Sequence, residues 1–138
     1  MIRTGLRWLL AVFYAAAGYA HLASPAPFLA IMPPWVPVPE AVVALTGVAE
    51  LAGAAGLLQP WSTALRRAAG WGLAAYALCV WPANVQHLLL DLDKADLGAG
   101  LGYHVPRLAF QPVLIWLALW VSQATDWPLR RGPSKAGA

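Results

Sequence analysis

The chain has 138 residues, 60% of them hydrophobic and only 11% charged, with a formal net charge of +3 and a mean hydropathy of +0.60. That balance excludes an ordinary soluble domain, which carries about 25% charged residues, and in so apolar a chain basic residues report orientation before any nucleic-acid partner. The single cysteine, Cys79, excludes an intramolecular disulfide, a CxxC redox pair and a cysteine metal site.

Four apolar stretches of roughly 17 to 24 residues predict an all-α, integral membrane four-helix bundle, one domain over residues 1–125. The first span is expected over residues 5–21. Arg3 and Arg7 lead into the apolar run from Trp8 to Ala20, which ends at His21. A basic start, a short apolar core and small residues near Gly18 also match the layout of a secretory signal. The later spans need a partner helix, however, and Ala15, Ala16, Ala17 and Gly18 offer the small surface by which membrane helices approach closely.

Leu22 to Glu40 holds six prolines (Pro25, Pro27, Pro33, Pro34, Pro37 and Pro39). Each lacks an amide donor and clashes with the preceding turn, so a helix interior is excluded and a loop is expected. Phe28, Ile31, Met32 and Trp35 make it apolar, suited to the membrane interface or to folding over the mouth of the bundle.

The second span, 41–58, carries one carboxylate, Glu50, close to the midplane of a hydrocarbon core about 30 Å thick. An unpaired charge there costs about 2.5–3.5 kcal/mol or more, so the acid must be neutralised, paired or turned to a wet interior. Gly47, Gly53 and Gly56 lie three or six positions away, which sets Glu50 on a stripe of small residues aimed at another helix. Gln59, Pro60 and Trp61 close the span, and Arg66 and Arg67 mark the turn.

The third span, 68–90, contains Pro82, which predicts a weak point just before Asn84, Gln86 and His87. Residues from Asp91 to His104, with Asp91, Asp93, Lys94, Asp96 and three glycines, read as a solvated loop. Their spacing lacks the alternation and terminal Glu of a calcium loop. The fourth span, 106–122, begins with Pro106 and Arg107 and carries Gln111 and Pro112. Residues 126–138 form a basic tail expected to be disordered. Seven Lys and Arg residues fall at the N-terminus, the Arg66–Arg67 turn and the tail, against Lys94 and Arg107 on the other side. Both termini are therefore expected in the cytoplasm, and the chain is a multi-pass protein of a bacterial inner membrane.

In that orientation His21, Glu50, Asn84, His87, Arg107 and Gln111 all fall in the outer half, forming a polar funnel from the outer surface to Glu50. Glu50, His21 and His87 are the candidate proton-handling groups. Asn84, Arg107, Gln111, Trp35, Pro33 and Pro34 are candidate ligand contacts. Each has a plainer role available: the histidines as helix-end caps, Arg107 as a snorkelling cation, Asn84 as the partner of a carbonyl freed by Pro82. With neither HxxxH nor HExxH present, no metal site is expected.

The segments AAGYAHLASPAPFLAIMPPWVPVPE, TGVAELAGAAGLLQP, AGWGL, WPANVQH and RLAFQPVLIWLALW together resemble the DoxX-like family of small bacterial four-helix membrane proteins, from about Leu6 to Trp120. The resemblance singles out His21, Pro33, Pro34, Glu50, Asn84, Arg107 and Gln111. It implies an association with redox enzymes, some relatives being named for the small subunit of a thiosulfate:quinone oxidoreductase. The leading expectation is a membrane protein binding a small apolar ligand, quinone or lipid-like, as the membrane subunit of a redox system. The alternatives are a scaffold or assembly subunit with Glu50 and Arg107 as a buried structural pair, or a small-solute transporter. The expected partners are the lipid bilayer and a redox partner protein or a second copy of the chain, with no nucleic acid.

Overall fold

A computed structural model describes residues 1–128 as an all-helical chain. The tail residues Arg130, Arg131 and Lys135 lie outside the described residues. Five helices follow one another: α1 (Ile2–Ala23), α2 (Ala26–Ala30), α3 (Pro39–Leu58), α4 (Thr63–Leu92) and α5 (Leu101–Val121). Of these, α3, α4 and α5 are long and apolar enough to cross a membrane. At 22 residues α1 is long enough, about 33 Å, but Arg3, Arg7 and His21 dilute its apolar run and it falls outside that set.

The four long helices pack in cyclic order. α1 lies on α3 most extensively, α3 on α4, α4 on α5, and α5 closes lightly back on α1, while the short α2 rests on α3. Glycine sets the closeness of two of these contacts. A Cβ on Gly18 would stand 2.7 Å from the Gly47 carbonyl, and one on Gly47 would stand 2.9 Å from the His21 Cβ. The small stripe expected on α3 is therefore shared between neighbours. Gly47 faces α1, whereas Gly53 and Gly56 face Leu73 and Ala69 of α4.

The apolar core fills one half of the ring, around Leu10, Tyr14, Leu57, Leu73, Ala118 and Val121. Below it, one end of the molecule is basic. Arg3 donates to the carbonyls of Trp120 and Thr125 and pairs with Asp126 at 2.8 Å, and Arg67 donates to the Gln123 carbonyl at 3.0 Å. Ser62 caps α4 by accepting from the Leu65 amide, and the Gln59 side chain braces the α3–α4 turn through the Ser62 backbone.

Two boundaries differ from expectation. The proline-rich segment is not loop throughout, because Pro25 and Pro27 sit at the start of α2, where a missing amide costs nothing and a fixed φ suits the first turn. The turn into α3 places Val38, between two prolines, at φ 47°. At the other connection, α4 runs on to Leu92 and α5 starts at Leu101 instead of Pro106, so only residues 93–100 form the loop. Asp91 and His104, expected in solvent, are 2% and 1% exposed.

The glycine crossing is testable by thermal unfolding in a neutral detergent. Gly47→Val overpacks the α1–α3 contact and is expected to destabilise by about 1–3 kcal/mol. Gly72→Ala, which meets nothing within 4 Å, is expected to leave stability unchanged or slightly raised.

Candidate functional site: a cavity in the half of the ring opposite the core

Above the packed core the helices surround a partly open cavity of about 640 Å³, within the range of about 300–1,000 Å³ typical of ligand pockets. All four long helices contribute to its wall, and the α2 segment with residues 31–36 covers it. Its surface is mostly aliphatic and aromatic, with a few polar side chains placed apart.

The first polar group is an acid–imidazole pair. Glu50, 3% exposed, brings Oε2 to 2.8 Å from Nδ1 of His21. The Gly18–Gly47 crossing makes this possible, since it lays the last turn of α1 directly on α3. His21 Nδ1 also lies 2.9 Å from the Ala17 carbonyl, and the ring stacks on Phe28 of α2 with centroids 3.7 Å apart. The ring-plane hydrogen points at Ala17, which leaves Glu50 Oε2 buried in close ionic contact but without a hydrogen-bond donor. The Tyr14 hydroxyl is likewise buried without a partner, and Tyr14 and Tyr76 meet edge to face at 6.0 Å beside the acid. The His21–Glu50 pair and a Tyr14 hydroxyl with no hydrogen-bond partner among the described residues thus stand on the wall of a mainly apolar cavity.

The second polar group is Arg107 on α5. Its Nη1 donates to Nδ1 of His87 at 2.7 Å, and its guanidinium lies over the Tyr103 ring at 5.6 Å. Nearby, Gln111 donates from Nε2 to the Ala77 carbonyl at 3.1 Å. That carbonyl is next to the one on Leu78 which Pro82 deprives of its helical donor; among the described residues neither Gln111 nor Asn84 bonds the Leu78 carbonyl, the role considered for Asn84. Asn84 makes no side-chain hydrogen bond among the described residues and faces the cavity.

Of the residues singled out from sequence, His21, Pro33, Trp35, Glu50, Asn84, Arg107 and Gln111 line this cavity. Pro34 does not; it is exposed, while Pro33 turns inward. His87 is also off the wall and acts behind Arg107. The Glu50–Arg107 pair of the scaffold alternative does not form: among the described residues Glu50 meets His21 and Arg107 meets His87.

Behind Arg107 lies a network that the sequence reading missed. Asp91 Oδ2 accepts from His104 Nε2 and from the Ala99 amide, both at 2.9 Å, and lies 3.6 Å from His87 Nε2. Its Oδ1 takes Lys94, whose ammonium is raised above its usual value by that hydrogen bond. His87, Asp91 and His104 bring their ligand atoms within 4.8 Å of one another, close enough to hold a metal ion. Two cations already occupy the position chemically. Lys94 neutralises the carboxylate, and a guanidinium donating to His87 Nδ1 leaves the proton on Nε2, the atom a metal would need. The signal in the sequence was the four-residue spacing of His87 and Asp91, which puts both on one helix face.

Gly98 closes this network at φ 54°, with an added Cβ falling 2.3 Å from the Asp91 carboxyl carbon. Gly98→Ala is expected to cost at least about 1–2 kcal/mol from the backbone alone, seen as a lower melting temperature. Gly102→Ala, in open space, serves as its unchanged control.

A family model described as Domain of unknown function (DUF8561) matches residues 10–122, which spans both polar groups, α2 to α5 and the part of α1 from Leu10 on. No curated protein and no solved structure matches the chain.

Proposed function

We propose that this chain, which belongs to the family described as Domain of unknown function (DUF8561), binds a small, largely apolar molecule in the cavity between its four long helices. The observation that carries the reading is a partly open, mainly apolar cavity of about 640 Å³ at which the buried Tyr14 hydroxyl has no hydrogen-bond partner among the described residues, and Glu50, in contact with His21, has no donor aligned on Oε2. Buried polar atoms are rarely left so, and a ligand hydroxyl or carbonyl-bearing head at that end supplies what is missing. A carboxyl and an imidazole in contact can also hold a proton against such a head.

In this reading α1 joins α3, α4 and α5 as a fourth span. The end carrying Arg3, Arg7, Arg66 and Arg67 faces the cytoplasm of a bacterial inner membrane, and the cavity opens toward the outer face. A quinone or a lipid-like molecule fits the apolar lining, and the relation to DoxX-like proteins and to a redox partner belongs to the same proposal. The scaffold alternative loses one of its supports, the Glu50–Arg107 pair, because Glu50 meets His21 and Arg107 meets His87.

The test is mass spectrometry of small molecules extracted from protein purified in mild detergent. The wild type is expected to carry a defined apolar molecule that Glu50→Gln and the cavity-filling Ala83→Trp, both folded, have lost. A folded wild type with nothing enriched over empty detergent overturns the proposal.

A further inference from the structure

The cavity has a second polar feature that a wholly neutral ligand leaves unused. Arg107 is half-buried, lines the cavity and has no carboxylate partner among the described residues. Snorkelling to headgroups outside the ring would turn the side chain away from the cavity, whereas two contacts hold it inward. Nδ1 of His87 accepts from Nη1 at 2.7 Å, and the Tyr103 ring lies against the guanidinium face. Both contacts use uncharged groups, so they fix the direction of the fork without cancelling its charge. His87 is itself held from behind, with Asp91 Oδ2 3.6 Å from Nε2, the nitrogen that carries the proton when Nδ1 accepts.

Charges elsewhere around the cavity balance locally. Glu50 is met by His21, and Asp91 by Lys94 and His104. Among the described residues Arg107 is the remaining cation on the cavity wall. A guanidinium has five donors in a planar fork, and His87 takes one of them. The free edge matches two oxygens of a carboxylate or a phosphate, and Asn84 of α4, which also lines the cavity and has no side-chain hydrogen bond among the described residues, offers a further amide donor.

From this geometry we infer that the ligand is an amphiphile with an anionic head, bound by the Arg107 fork, and an apolar tail lying in the cavity. The inference rests on the ligand-binding reading above and narrows it to carboxylate- or phosphate-headed single-chain or lipid molecules. His87 is a positioning residue for Arg107, and the Asp91 network keeps the α4–α5 hairpin that carries both.

The test is quenching of tryptophan fluorescence, with Trp35 at the cavity cover, by three brominated alkyl probes of equal chain length: a fatty acid, its methyl ester and an alkyl phosphate. Binding is corrected for partition into empty neutral micelles. The wild type is expected to bind the acid or the phosphate at least about tenfold more tightly than the ester, as a charge-assisted pair requires. Arg107→Gln is expected to lose that preference while still binding the ester, which also reports that it is folded. A stronger response to the phosphate identifies a phospholipid-type head, and to the acid a free fatty acid; either supports the inference. Equal binding of all three by the wild type, or a preference retained in Arg107→Gln, overturns the anionic head and leaves the apolar-ligand reading standing. Binding of none of them overturns the inference, and the molecules extracted from the wild type then decide the apolar-ligand reading.

Discussion

Glu50 is the constraint around which the chain is built. A carboxyl group in the middle of α3, only 3% exposed, requires a partner brought in from another helix. That partner is His21, and it reaches 2.8 Å only because Gly18 and Gly47 remove the side chains that would hold α1 and α3 apart. One pair of glycines therefore does two things at once: it makes the most extensive helix contact in the molecule, and it decides what faces the acid. Phe28 then stacks on His21 and ties the α2 cover to the same point.

The ring of helices is solid at one end and hollow at the other for a related reason. Toward the basic end, Leu10, Leu57, Leu73 and Val121 meet at the axis and close it. Toward the other end the inward positions are held by Glu50, Gln111, Asn84 and Arg107, which cannot collapse on one another without stranding polar groups, and by small residues such as Ala77 and Ala83. Aromatic and proline residues cover the opening instead of filling it. A cavity is the outcome of packing polar side chains into an apolar ring that still keeps each of them on its own wall.

The α4–α5 hairpin is organised by Asp91 in the way the α1–α3 pair is organised by glycine. Four donors from three different segments converge near one carboxylate: Lys94, the Ala99 amide, His104 and, at longer range, His87. This fixes the loop 93–100 against α4 and sets the register of α5, which in turn decides where Arg107 points. The positively charged side chain and the imidazole that steadies it are thus consequences of a network lying outside the cavity.

Much of this was legible in the sequence. Periodicity, length and hydropathy gave the all-helical class and the long apolar helices, and depth along α3 alone identified Glu50 as a residue needing a partner. Seven of the residues chosen for the site do line one cavity, because polar residues in apolar helices have few places to go. The pairing was only half legible: Glu50 was grouped with His21 and His87 as proton-handling residues and, in the scaffold alternative, paired with Arg107, while the chain sets His21 against Glu50 and gives Arg107 to His87. Nor were Asp91 and His104, which look like loop residues until α4 is extended and α5 starts five residues earlier. What the sequence by itself determined was which side chains cannot face lipid. Only the tertiary structure decided which of them meet, because that depends on how closely two helices approach and where each one begins, and both are fixed by contacts between segments distant in the chain.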